Sequence, residues 1–188
     1  MRIVHLKLFT VTLLTGTVCI ALTGCDQDSS APTGNSGGTI STSASLPDGL
    51  ILAAAPPGAT PVAELKRTAK EGEQVVMRVV VGGRKKPIVE NRSVMTVVDV
   101  GLNNQCVLPG DSCKTPWDYC CASPEQLRPN LATVQIVDDQ GRPLAIDLLG
   151  ASKLEPLAVL VVKGSVGPRP DPGTLVINAS GLFVESTP

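Results

Sequence analysis

Between Gln74 and Val184 the chain carries six short runs rich in Val, Ile and Thr, separated by turn residues, and this pattern restricts the fold more than any other feature. The runs are Gln74 to Val81, Ser93 to Val100, Ala132 to Val137, Pro143 to Leu149, Leu157 to Val166 and Thr174 to Val184. Several alternate apolar and polar residues, as in Met77-Arg78-Val79 and Thr133-Val134-Gln135-Ile136, so that one face of each turns to a core. Asp138-Asp139-Gln140-Gly141-Arg142-Pro143 has the chemistry of a tight hairpin connection between two of them. Ahead of the first run, Pro61 to Gly72 reads as a short helix. Pro61 suits a first turn, Glu64 complements the N-terminal end of the helix dipole, Val62, Leu65 and Ala69 share a face, and Gly72 supplies a stop. One short helix followed by short strands predicts a mainly β chain of five to six strands, folded as a small closed barrel or a sandwich.

A helix leading into Val75-Val76-Met77-Arg78-Val79-Val80-Val81-Gly82-Gly83, then Val94-Met95-Thr96-Val97-Val98-Asp99, and later Val161-Val162-Lys163-Gly164-Ser165-Val166 before Leu175-Val176-Ile177-Asn178-Ala179-Ser180-Gly181, resembles periplasmic OB-fold domains of bacteria. The resemblance implies a Greek-key barrel over roughly Pro61 to Val184. The chain departs from such domains by an insertion, residues 103–130, between its second and third strand runs. Within that insertion Cys113-Lys114-Thr115-Pro116-Trp117-Asp118-Tyr119-Cys120-Cys121 resembles a motif of uncharacterised envelope lipoproteins from planctomycete-type bacteria, a family with no activity to transfer.

The N-terminus sets the compartment. Arg2 and Lys7 precede an apolar stretch from Leu8, and Leu22-Thr23-Gly24-Cys25 closes it. These four residues resemble the lipobox of bacterial lipoproteins. That resemblance implies cleavage of residues 1–24, thioether lipidation of Cys25 and acylation of the new amino terminus. Leu8 to Leu22 is too short for the roughly 20 apolar residues of a spanning helix, and several acyl chains on one residue anchor durably, so the expected membrane contact is the lipid at Cys25. Asp26 resembles the inner-membrane retention signal of enterobacterial lipoproteins. Residues 25–60, rich in Ser, Thr, Gly, Ala and Pro, read as a flexible tether, and residues 61–188 as the barrel domain.

Composition then removes function classes. The one histidine, His5, leaves with the signal, which excludes Ser-His-Asp and Cys-His catalysis and histidine-bound zinc from the mature form. Loss of Arg2 and Lys7, with no acid in the same segment, takes the formal charge from −1 to −3. With Phe9 also gone, only Trp117, Tyr119 and Phe183 remain as aromatics, too few for the stacking platform that single-stranded nucleic acid needs. No nucleic-acid partner is expected, and neither a cofactor nor a catalytic residue is assigned.

Four cysteines remain in the insertion: Cys106, Cys113, Cys120 and Cys121. In an oxidising compartment they most economically make two disulfides, each worth on the order of 2 to 3 kcal/mol by the chain-entropy argument. Cys120 and Cys121 are neighbours, so each pairs with Cys106 or Cys113, and spacing leaves open which with which. The competing readings are a thiolate metal site, which lacks Cys-x2-Cys knuckles, and a redox-active thiol pair, which lacks Cys-x-x-Cys. Trp117 and Tyr119 either anchor a partner or pack the cross-linked loop. Arg84, Lys85 and Lys86 form a basic hairpin tip and are the other candidate partner contacts, whereas Asp99, Asp138 and Asp139 read as turn formers. The sequence therefore predicts a non-enzymatic, lipid-anchored binding or structural module whose partner is an envelope protein or a small molecule. The alternative is a metal or redox module on the cysteine loop.

Overall fold

Strand β1 (Gln74–Val81) buries Val75, Met77, Val79 and Val81 and exposes or half-exposes the residues between them, the alternation its sequence encodes. The computed structural model describes residues 45–152 and 154–188; the signal segment and Cys25 lie outside them. β1 pairs antiparallel with β2 (Val94–Asp99) on one side and with β4 (Val159–Val166) on the other. β2 continues to β3 (Leu131–Gln135), β3 runs parallel to β5 (Val176–Ser186), and β5 returns antiparallel to β4. The order β1-β2-β3-β5-β4 closes on itself, which is an OB-like Greek-key barrel of five strands. Its interior holds Met77, Met95, Leu160, Val162 and Ile177, all fully buried.

β4 and β5 change register at Lys163/Gly164, where a Cβ on Gly164 would run into the Asn178 carbonyl. The bulge uses the missing side chain to bend the pair around the barrel.

Helix α1 (Val62–Thr68) turns Val62 and Leu65 into one end of the barrel and ends earlier than Gly72, which instead forms a left-handed turn at φ +81°. Two further short helices were not foreseen: α2 (Pro124–Asn130), within the insertion, and α3 (Leu148–Ser152). The expected strand over Pro143 to Leu149 reduces to one bridge, Val137 with Pro143, at the end of the Asp138 turn, followed by α3. The closed order β1-β2-β3-β5-β4 does not include this stretch, and Ile146, Leu148 and Leu154 bury themselves from a non-strand segment.

The ordered body also reaches further back than residue 61. Leu50 is buried, its carbonyl accepts the Leu182 N–H at 2.7 Å, and Leu52 N–H donates to Leu182 O at 2.8 Å. The apolar island at Leu50 to Ala53, read above as tether, is thus docked on β5 through Leu50 and Leu52, because beyond Asn178 that strand no longer pairs with β3 and its backbone groups there take partners from this segment. No helix among the described residues is long and apolar enough to cross a membrane.

Candidate functional site

A cleft of about 740 Å³ opens beside the β2–β3 face of the barrel. Thr96 of β2 and Leu131, Ala132 and Thr133 of β3 contribute its floor. Charge comes from three parts of the chain: Lys66 and Arg67 from α1, Arg84 from the β1–β2 loop and Arg128 from α2. Against them stands one lining carboxylate, Asp171, in the β4–β5 loop, where it accepts hydrogen bonds from Gly173 N–H and the Thr174 hydroxyl. Lys66 donates to the Arg128 carbonyl at 2.6 Å, tying α1 to α2. Burial, and then the neighbouring Arg169 guanidinium, push the Lys66 ammonium below its ordinary pKa, with Asp171 opposing. An anion in the cleft would relieve that penalty.

The helix that carries Lys66 and Arg67 is too short to be stable alone and is held from outside at both ends. At its N-terminus the Val62 N–H donates to Asp99 Oδ2 at 2.7 Å, while Asp99 Oδ1 accepts from Gly101 N–H. At its C-terminus Arg169 donates to the carbonyls of Lys66 and Ala69, both at 2.6 Å, and also to Pro172 O in the β4–β5 loop. Asp99 is therefore a helix cap rather than only a turn former, and Asp138 does serve the turn, accepting from Gln140 and Arg142 N–H.

In the insertion the four sulfurs gather within a small volume. Cys106 and Cys121 Sγ are 2.8 Å apart, Cys113 and Cys120 3.3 Å, Cys106 and Cys120 3.5 Å, and Cys120 and Cys121 3.8 Å. None is at the bonding distance of about 2.05 Å. Cys106, Cys120 and Cys121 form one group of donors compatible in geometry with a metal ion, and Cys113, Asp118 and Cys120 form another. Burial raises the Cys106 thiol, but hydrogen bonds from Cys121, Cys120 and Cys113 outweigh it and leave Cys106 below the ordinary thiol range. Hydrogen bonding to Cys113 and Cys106 raises Cys120, and hydrogen bonding to Cys106 raises Cys121.

The aromatic pair fastens this insertion to the barrel. Tyr119 is buried, held in a left-handed conformation at φ +57°, and its ring lies against Gly82. Trp117 accepts the Gly83 N–H through its carbonyl at 2.7 Å and donates its indole N–H to Lys85 O at 3.1 Å. Tyr119 thus serves packing and offers no exposed anchor, while Trp117 is half-buried and tied to the hairpin by these bonds. Of the basic tip, Arg84 enters the cleft, Lys85 supplies the carbonyl for Trp117, and Lys86 lies exposed in a pair with Glu90. Sequence reasoning missed Lys66, Arg67 and Arg128. The first two read as the polar face of a helix and the third as loop, and no spacing signal joins them to Arg84. Comparison with protein-family models, with curated proteins and with solved structures finds no match to this chain.

Proposed function

We propose that this chain is a lipid-anchored, non-enzymatic binding module of the bacterial cell envelope, its barrel cleft taking a small anionic ligand with phosphate or carboxylate groups. The observation that carries the ligand class is the cleft itself, in which Lys66, Arg67, Arg84 and Arg128 face the single acid Asp171 on a molecule that is otherwise net negative. Its volume falls within the range of about 300 to 1,000 Å³ usual for small-molecule sites, which favours a small ligand over an envelope protein. None of the described residues lining it is aromatic, which disfavours single-stranded nucleic acid. The anchor follows from Leu22-Thr23-Gly24-Cys25: residues 1–24 are removed, Cys25 carries the lipid, and Asp26 directs retention at the inner membrane. In that compartment the insertion cysteines close as disulfides.

The test uses the lipoprotein extracted in detergent. Inorganic pyrophosphate titrated by calorimetry should bind, and binding should weaken about tenfold in Arg84→Ala or Arg128→Ala and with added salt. Equal heats from wild type and both variants would overturn the anion cleft. Tighter binding of a single-stranded oligonucleotide than of pyrophosphate would move the protein to the nucleic-acid class. Mass spectrometry should find a diacylglyceryl Cys25 N-terminus, and a retained Met1 would remove the envelope assignment.

A second reading, a thiol-based metal or redox module on Cys106, Cys113, Cys120 and Cys121, is favoured by the convergence of the four sulfurs. Zinc retained in stoichiometric amount by protein purified without reductant would support it over stapling.

A further inference from the structure

We propose that Cys106 with Cys121 and Cys113 with Cys120 close as two nested disulfides, and that these bridges brace the walls that carry Arg84 and Arg128 into the cleft. The proposal rests on the envelope reading above, since an oxidising compartment lets such bridges persist.

The pairing follows from the sulfur positions. Cys106 to Cys121 at 2.8 Å and Cys113 to Cys120 at 3.3 Å are the two shortest separations, and together they use every cysteine once. The pairing of Cys106 with Cys120, at 3.5 Å, strands Cys113 and Cys121, which make no close contact with each other. Bridging the neighbours Cys120 and Cys121 strands Cys106 and Cys113 and starts from the longer 3.8 Å. A single tetrahedral ion fits less well. Thiolates bound at about 2.3 Å sit about 3.8 Å apart. The 2.8 Å pair falls well inside that spacing, and Cys113 groups with Asp118 and Cys120 rather than with all three other sulfurs.

Each bridge has a structural target. The segment between Cys113 and Cys120 contains Trp117, whose carbonyl and indole hold Gly83 and Lys85 on either side of Arg84. Closing Cys113 with Cys120 restricts the turn that grips this hairpin. Cys121 lies just ahead of Ser123, which caps α2 through reciprocal bonds with Gln126, and α2 delivers Arg128. Closing Cys121 onto the buried Cys106 fixes the entry to that helix. Each closure is a two-electron oxidation. A thiolate of the pair attacks the disulfide of an envelope protein oxidant and expels one of its thiolates, the partner thiolate then attacks the resulting mixed disulfide and expels the other, and the oxidant leaves as a dithiol carrying the two electrons and the two protons.

Thiol counting on the detergent-purified lipoprotein, without and with reductant under denaturing conditions, tests the pairing. Wild type should show none before reduction and four after it. The double variant Cys113→Ser with Cys120→Ser should show none before reduction, and Cys106→Ser with Cys120→Ser should show two. The reverse pattern in the two double variants overturns the pairing, as do wild-type thiols that are free and become protected by zinc. One further thiol that is constant across wild type and all variants reports an unmodified Cys25, and two report that Cys19 has been kept with it. Either outcome removes the lipid anchor, while the difference between the double variants still decides the connectivity. Hydrogen exchange tests the bracing without any ligand. On reduction, amides of Arg84 to Lys86 and of α2 should exchange at least about tenfold faster while those of β1 and β4 do not change. Unchanged exchange at Arg84 to Lys86 and α2 overturns the bracing, and so does a uniform rise that includes β1 and β4.

Discussion

The barrel and the cysteine insertion are ordered by different forces. Met77, Met95, Leu160 and Ile177 are fully buried in a continuous apolar interior, and strand pairing satisfies the backbone around it. In residues 103–130, by contrast, Cys106 and Tyr119 alone among the described residues are buried, while Val107 and Leu108 are about half exposed. Local polar bonds shape this segment: Asn104 accepts from Cys106 N–H and donates to Pro116 O, Asp118 accepts from the Thr115 hydroxyl and Cys120 N–H, and Asp111 accepts from Cys113 N–H. Such bonds contribute about 1 kcal/mol each and leave little cooperative reserve. The barrel's order thus follows from area removed from water, whereas the insertion depends on a few specific contacts and on the chemical state of its sulfurs.

Substitutions at graded positions sharpen or break this contrast. Leu160→Ala should cost about 2 to 5 kcal/mol in denaturant unfolding, with circular dichroism and Trp117 fluorescence changing together, because both regions fall when the core does. Gly82→Ala would place a Cβ 2.6 Å from the Trp117 carbonyl, so a loss of about 1 to 3 kcal/mol is expected to appear first in Trp117 fluorescence while the barrel's circular dichroism persists. Coincident transitions in Gly82→Ala would show that the two regions are one cooperative unit. Asp99→Ala removes the cap on α1 and should cost about 1 to 2 kcal/mol, with pyrophosphate binding reduced because Lys66 and Arg67 lose their fixed position.

A titration comes next in size. Burial above all, then Cys106 while it is reduced and then Asp99, pushes the Tyr119 phenol up to about 12. An unfolded tyrosine titrates near 10, so the fold keeps the full contribution of neutral Tyr119 below about pH 10 and loses it as pH climbs toward 12. Tyr119 is the one tyrosine of the chain, and phenolate absorbance therefore reads this site alone. A native midpoint near 10 would mean that the insertion is not packed on the barrel. At the bottom of the scale, Lys86→Ala should leave the unfolding midpoint unchanged, because the Lys86–Glu90 pair stands in solvent.

The strand positions were readable because alternation is local. β1 spans the residues its run spans, and β2 and β4 lie within theirs. Pro143 to Leu149 misled because alternating apolar residues state only that a segment is half buried, not that it joins the sheet. Leu50 misled in the opposite sense, since a short apolar island in a polar stretch carries no sign of the β5 flank that it covers. In the insertion, the gathering of four cysteines was visible but their pairing was not, because pairing depends on where Cys106 and Cys113 return in space.

By itself the amino-acid sequence determined the inward faces of β1 and β3, the turn at Asp138 and the absence of an imidazole downstream of His5, all properties written within a few neighbouring residues or in composition. Tertiary structure alone decided that Asp99 and Arg169 hold the ends of α1, that Lys66, Arg84 and Arg128 converge on one cleft, and which sulfurs approach. The physical reason is range. Burial periodicity repeats every two residues and is legible in any short window, whereas a charge cluster or a cap joins residues that become neighbours only after the barrel has closed.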